Sequence, residues 1–206
     1  MARVRRPYAP RLSLEDRRAQ VLDGAVRVLV RDGYDGLSVD AIAREIGVTR
    51  PAVYRAFDGQ AALFAALLDR QEARALEQLT AAVPGDLGAA GLDAFVGATV
   101  RRLCDMVVGD PDTWRPIFLA SDGAPGAIRE RIAHDRELVR LRFRGLLQIA
   151  LRAPSAPGGA DPDVLSHALV AIGEDFARRI LEDPPSLDVD RIVETIEALL
   201  TLRPRP

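Results

Sequence analysis

Between Ser38 and Arg70 the chain sets hydrogen-bonding side chains at spacings that suit the reading of a nucleic acid. Arg50 and Arg55 carry guanidinium groups, and a guanidinium can grip guanine O6 and N7 as a bidentate fork. Arg50 is the first choice for a base contact, while Arg55 is either a DNA contact or half of a solvent-facing ion pair. Thr49 and Tyr54 offer hydroxyls that suit phosphate oxygens, and Pro51 and Gln60 share the same short stretch. Ser38 can cap a helix and offer its hydroxyl to a phosphate, although capping alone would explain it. No comparable set exists for catalysis. Cys104 is the single cysteine, and His134 and His167 are the only histidines, too few for zinc-site spacing. Asp105, Asp110 and Asp112 gather at a turn, where acids are expected anyway. We therefore assign no catalytic residue, no metal and no cofactor.

The chain also lacks lysine, so all 28 basic residues are arginine. A P-loop, a pyridoxal Schiff base and a kinase phosphate clamp each need a lysine, so these chemistries drop out. Net charge is −2 over 206 residues, but it is unevenly spread. Residues 1–60 hold 11 Arg against 8 acids and the remainder 17 against 22, a basic front on an acidic back. No apolar run approaches the roughly 20 residues that cross a bilayer, and the basic N-terminus has no apolar segment behind it. The expected location is the cytoplasm, without membrane contact.

Elements must hold the polar group in place, and the spacing supplies them. Val39, Ile42, Ala43 and Ile46 recur at helical period, and Gly47 can end that helix in a left-handed turn. Thr49 can cap a second, short helix with Pro51 in its first turn and Val53, Ala56 and Phe57 on its buried side. These two helices are too short to be stable alone. A helix from Ser13 to Gly33, capped by Ser13 with Asp16, offers Leu14, Val21, Leu22, Ala25, Val28 and Leu29 as their partner face. A fourth helix after Asp58 brings Leu63, Phe64, Leu67 and Leu68. Residues 1–12, with Arg3, Arg5, Arg6 and Arg11, show no periodicity. They form either an arm that reaches phosphate or minor groove, or a solvated terminus.

Beyond residue 80 the pattern is that of an all-α body. Helices are expected over Leu92–Val108, Ala127–Arg152, Asp163–Leu181 and Val189–Leu202. Pro111 and Pro116 flank a short aromatic piece, and a Pro/Gly/Ala-rich loop covers residues 153–162. The last two helices carry more apolar surface than a peripheral pair needs. Leu165, Ala168, Leu169 and Ile172 on one, with Ile192, Ile196 and Leu199 on the other, could build a four-helix interface with a second copy or finish the monomer's own core. A dimer of two heads about 34 Å apart reads a palindrome, which one short helix alone cannot select from a genome.

Taken together, GYDGLSVDAIAREIGVTRPAVYRAFDGQAALFAALL resembles the N-terminal DNA-binding domain of the TetR family of transcriptional regulators. The features that match are Gly33-Tyr34, the Ser38 to Ala43 helix, Gly47-Val48-Thr49, Tyr54 with Phe57, and Leu63-Phe64. Two positions depart: Ala56 stands where many members have His, and Gln60 where many have Lys, both commonly phosphate contacts. Their loss implies weaker backbone affinity or a shift of load to Arg50, Arg55 and the arginine arm. The resemblance implies an all-α fold, with a three-helix helix-turn-helix headpiece and a C-terminal helical bundle. The division would be an arm at 1–12, a DNA-binding domain at 13–59, and a ligand-binding and dimerisation domain at 60–206. It also implies a homodimeric repressor that a small-molecule effector releases from a palindromic double-stranded operator. Met106, Trp114, Phe118, His134, Phe143 and Phe176 are the candidates to line an effector pocket, although such residues are more often plain core. The alternative is an activator, or a regulator that senses no ligand.

Overall fold

The computed structural model describes residues 12–83, 91–119, 126–152 and 159–201, and every element among them is helical. Two compact units divide the chain, Met1–Arg70 and Gln71–Pro206. The arginine arm and the 153–158 part of the expected loop lie outside the described residues.

In the first unit, α1 spans Leu14–Gly36, α2 Val39–Glu45 and α3 Arg50–Tyr54, and α4 begins at Gly59 and runs to Ala82. Ser13 caps α1: its Oγ accepts from Asp16 N at 3.0 Å and donates to Asp16 Oδ2 at 2.7 Å. Gly33 is where α1 breaks, at φ 69°, and one further turn carries the chain to Gly36. That backbone conformation is strained for any residue with a Cβ. Ser38 caps α2 through Ala41 N at 3.1 Å, and Gly47, at φ 66°, makes the turn into α3. Thr49 occupies the cap position of α3, but its hydroxyl makes no capping bond, contrary to the expectation from sequence. Pro51 sits in the first turn, where no N–H is needed.

These short helices are held by burial. Val21, Ala25, Val28 and Leu29 of α1 close on Val39 and Ile42 of α2, Val53 and Phe57 at α3, and Leu63 and Leu67 of α4. Leu14, expected on the same face, is 61% exposed, because it lies at the free end of α1 beyond this cluster. Gly24 permits the approach of α1 to α2, since a Cβ there would meet Ile46 Cγ2 at 2.3 Å. At the rim, Arg27 Nε and Arg31 Nη1 both donate to Glu45, at 2.8 and 2.7 Å.

In the second unit, the remainder of α4 is joined by α5 (Gly91–Gly109), α6 (Pro111–Phe118), α7 (Gly126–Ala150), α8 (Pro162–Leu181) and α9 (Val189–Thr201). Helix α5 packs on α8 and α9, while α7 and α6 both pack on α8. Cys104, Val107, Trp114, Ala177, Ile180, Leu181 and Ile192 form the buried cluster. Pro116 lies inside α6 rather than beside it. A proline there deprives the carbonyl four residues back, that of Asp112, of its usual donor. Buried Gln71 of α4 supplies one, with Nε2 at 3.4 Å from Asp112 O.

Polar clamps complete the second unit. Asp110, just before α6, accepts from Arg74 Nε at 2.6 Å, Gln78 Nε2 at 2.5 Å and Thr113 Oγ1 at 2.8 Å. Trp114 Nε1 donates to Gln78 Oε1 at 2.7 Å. Burial pushes the Asp110 carboxyl up, but the bonds from Thr113, Gln78 and Arg74 outweigh it and leave the group below its ordinary value. Between α7 and α8, buried Arg140 gives four hydrogen bonds to Glu137, Asp163 and Ser166.

Candidate nucleic-acid interface

Ala52, Val53, Ala56 and Phe57 are buried, so α3 is fixed to the head by one side and turns the other outward. Thr49, Arg50, Pro51, Tyr54 and Arg55 are all exposed on it, and Gln60 is exposed at the start of α4. Tyr54 is a large aromatic left 38% exposed. Ser38 is half-buried with its oxygen already accepting the α2 capping bond; a hydroxyl has a second lone pair and a proton still to offer.

Arg50 is held rather than loose. Its Nη1 donates to Asp40 Oδ2 at 3.1 Å, its Nη2 to the Tyr54 hydroxyl at 3.3 Å, and its Cζ lies 5.6 Å from the Tyr54 ring centre. The Tyr54 bond and the Asp40 charge raise the guanidinium above its ordinary value, so it is a permanent cation. Two of its five N–H groups are used, leaving Nε–H and one hydrogen on each terminal nitrogen for a ligand. Arg55 has no ion pair or hydrogen bond from its side chain among the described residues, so of the two readings the sequence leaves, the ion pair is not formed.

Three contributors escape a reading of α3 alone. Asp40, on the first turn of α2, orients Arg50 from ten residues away. Arg44 Nε donates to the Asp40 carbonyl at 3.3 Å and stays exposed on the same helix. Arg18 of α1 donates from Nε to Ala56 O at 2.9 Å and lies 5.1 Å over the Phe57 ring, closing the C-terminal end of α3. Ala56 itself is buried, so its place belongs to the core of the head. The i to i+4 spacing of Asp40 with Arg44 on α2 was the available signal for an acid near the face.

The remaining sequence candidates lie in the second unit. Met106, Trp114, Phe118 and Phe176 gather in one apolar cluster, with Trp114 stacked on Phe118 at 5.5 Å and 15°. His134 is exposed on α7 and Phe143 is half-buried there, neither within that cluster, to which α7 contributes no residue. Of the interface candidates, Leu169, Ile172 and Leu199 are 42, 48 and 57% exposed. Ala168 is exposed as well, and Leu165 and Ile196 are half-buried. Ile192 is buried in its own chain's cluster, on the side of α9 that faces inward.

Among the described residues no helix is long and apolar enough to cross a membrane, and no group of His, Cys, Asp or Glu could hold a metal ion. Residues 21–67, which contain this interface, match the family model described as bacterial regulatory proteins, tetR family. The HTH-type transcriptional repressor Rv1474c of Mycobacterium tuberculosis is 30% identical over 179 residues, covering 81% of this chain and 95% of that protein. The HTH-type transcriptional activator FasR of Mycolicibacterium smegmatis is 26% identical over 200 residues, covering 89% of this chain and 81% of that protein. Among solved structures, the multidrug binding protein EbrR complexed with malachite green is similar at a TM-score of 0.62 and 25% identity, over 89% of this chain and 98% of that one.

Proposed function

The chain belongs to the TetR family of bacterial regulatory proteins and is a DNA-binding transcriptional regulator, and from that premise we propose that it is a homodimeric repressor released from a palindromic operator by a small-molecule effector. One observation carries the DNA-reading part: Arg50, exposed at the start of α3, is aimed by Asp40 and Tyr54 and keeps three N–H groups free. In this reading Arg50 contacts a guanine in the major groove. Thr49, whose hydroxyl no cap consumes, contacts phosphate together with Tyr54, Ser38, Arg55 and Gln60, and Pro51 sets the entry of α3 into the groove. The DNA-binding part is residues 13–59, with 1–12 as an arm, and residues 60–206 bind effector and partner in the cytoplasm.

The exposed Ala168, Leu169 and Ile172 of α8 and Leu199 of α9 support pairing with a second copy, since exposed apolar surface of this kind is costly unless covered. The apolar cluster of Met106, Trp114, Phe118 and Phe176 is the proposed lining of the effector site, in keeping with the malachite green complex of the structurally similar EbrR. The effector shifts DNA affinity only by its unequal affinity for the DNA-binding and released forms of the dimer. We assign the chain no catalysis. Activation in place of repression is the second reading, favoured by the similarity to FasR.

Footprinting of the region upstream of the chain's own coding sequence, with and without a panel of apolar metabolites, tests the reading. Protection that one compound abolishes is expected. Protection that no compound alters would remove the sensor and keep the regulator.

A further inference from the structure

Arg115, on α6 between Trp114 and Pro116, differs from Arg140, the buried cation of the second unit. Arg140 spends its guanidinium on Glu137, Asp163 and Ser166. Arg115 is half-buried, its Nε is shut off from solvent, and that nitrogen has no hydrogen-bond partner. Among the described residues no ion pair reaches its guanidinium, not even from Asp112 three residues earlier on the same helix. A donor nitrogen withdrawn from water and left unpaired is unfavourable, and such a group calls for an explanation. Helical spacing brings Arg115 beside Phe118 at i+3 and Leu119 at i+4. Phe118 is stacked on Trp114 within the apolar cluster, and Leu119 is 42% exposed.

We propose that Arg115 is the anion-binding residue of the effector site, and that the effector is an amphipathic carboxylate. Its carboxylate accepts from the terminal Nη1 and Nη2 of Arg115, since Nε is closed to solvent, and its apolar chain covers Phe118, Leu119 and the edge of the apolar cluster. The chemistry decides the class: guanidinium is matched to a carboxylate, and the neighbouring surface is matched to hydrocarbon. This inference rests on the reading of the second unit as an effector-binding body, and it names the chemical class that body takes.

Trp114, the single tryptophan of the chain, adjoins Arg115 and provides the readout. Its fluorescence is followed in the full-length protein during titration with dodecanoate below its micelle-forming concentration, with dodecanol and acetate as the tail alone and the charge alone. Saturable binding of dodecanoate is expected, weakened at least about tenfold in Arg115→Gln and at least about tenfold for dodecanol, with no response to acetate. Because the Arg115 guanidinium makes no hydrogen bond or ion pair among the described residues, Arg115→Gln without ligand should melt no lower than wild type; a clear fall in Tm would mark a structural arginine and overturn the proposal. Arg115→Lys, which keeps the charge but loses the fork, should bind dodecanoate at intermediate strength. Equal affinity in wild type and Arg115→Gln, equal affinity for dodecanol, or no dodecanoate binding would each overturn it. Specific DNA binding by the same samples separates the two levels: if it persists while dodecanoate fails to bind, this inference falls and the regulator stands, and if it is missing, the functional reading falls first.

Discussion

At the scale of single residues, Arg50 carries the specificity and Asp40 aims it. Truncating Arg50 to Ala removes a bidentate base contact, so affinity for the preferred duplex should fall by about 1–3 kcal/mol while affinity for unrelated duplex falls less. Fluorescence anisotropy on both duplexes at one salt concentration measures this. Asp40→Asn keeps shape and releases Arg50 from the charge at 3.1 Å. It should also remove an acid that repels phosphate, so non-specific binding should rise and the ratio of specific to non-specific affinity should drop. An unchanged ratio would leave Asp40 without a role in aiming. The polar residues of α3 were legible in the sequence because Gly47, Thr49 and Pro51 fix where that helix starts. The Asp40–Arg50 pairing was not, since it depends on how α2 and α3 cross and not on spacing within either.

At the scale of elements, the head depends on close approach and the body on polar clamps. Gly24→Ala would force a methyl into Ile46, and the cost of overpacking predicts a loss of about 1–3 kcal/mol, read as a lower Tm of the first unit. An unchanged Tm would mean that Ile46 moves aside freely. In the body, Asp110 ties α6 to α4 with its carboxyl held below the ordinary value of about 3.9. A depressed carboxyl contributes stability that is fully present above the unfolded value and is lost as pH falls through the folded one. Asp110→Asn should therefore lower Tm at neutral pH and flatten its decline between about pH 5 and 3, as followed by circular dichroism. A decline as steep as that of wild type would assign the acid sensitivity to other carboxylates. Helix α6 also shows where sequence reasoning falls short. Pro116 reads as a boundary, yet the helix passes through it because Gln71, remote in sequence, meets the carbonyl that Pro116 cannot.

At the scale of the whole molecule, reading a palindrome needs two copies. Apolar periodicity made α8 and α9 legible as helices with surplus hydrophobic surface, but periodicity does not say which side of a helix its own chain covers. Ile192 turns inward to Cys104 and Val107, whereas Leu169 and Ile172 remain in solvent. Replacing both Leu169 and Ile172 by Glu should convert a dimer to monomer in sedimentation with little change in helicity, because substitutions at exposed sites cost little folding stability. The monomer should then lose most of its affinity for a palindromic site. A dimer that survives the double substitution would place the contact on another face.

The most direct test of the central claim is selection of duplexes by the full-length protein from a random-sequence library, with Arg50→Ala selected in parallel. An inverted repeat is expected, its half-sites centred about one helical turn apart, with one guanine in each half-site enriched by wild type and lost by the variant. No enriched sequence, or the same sequence recovered by both proteins, would contradict it.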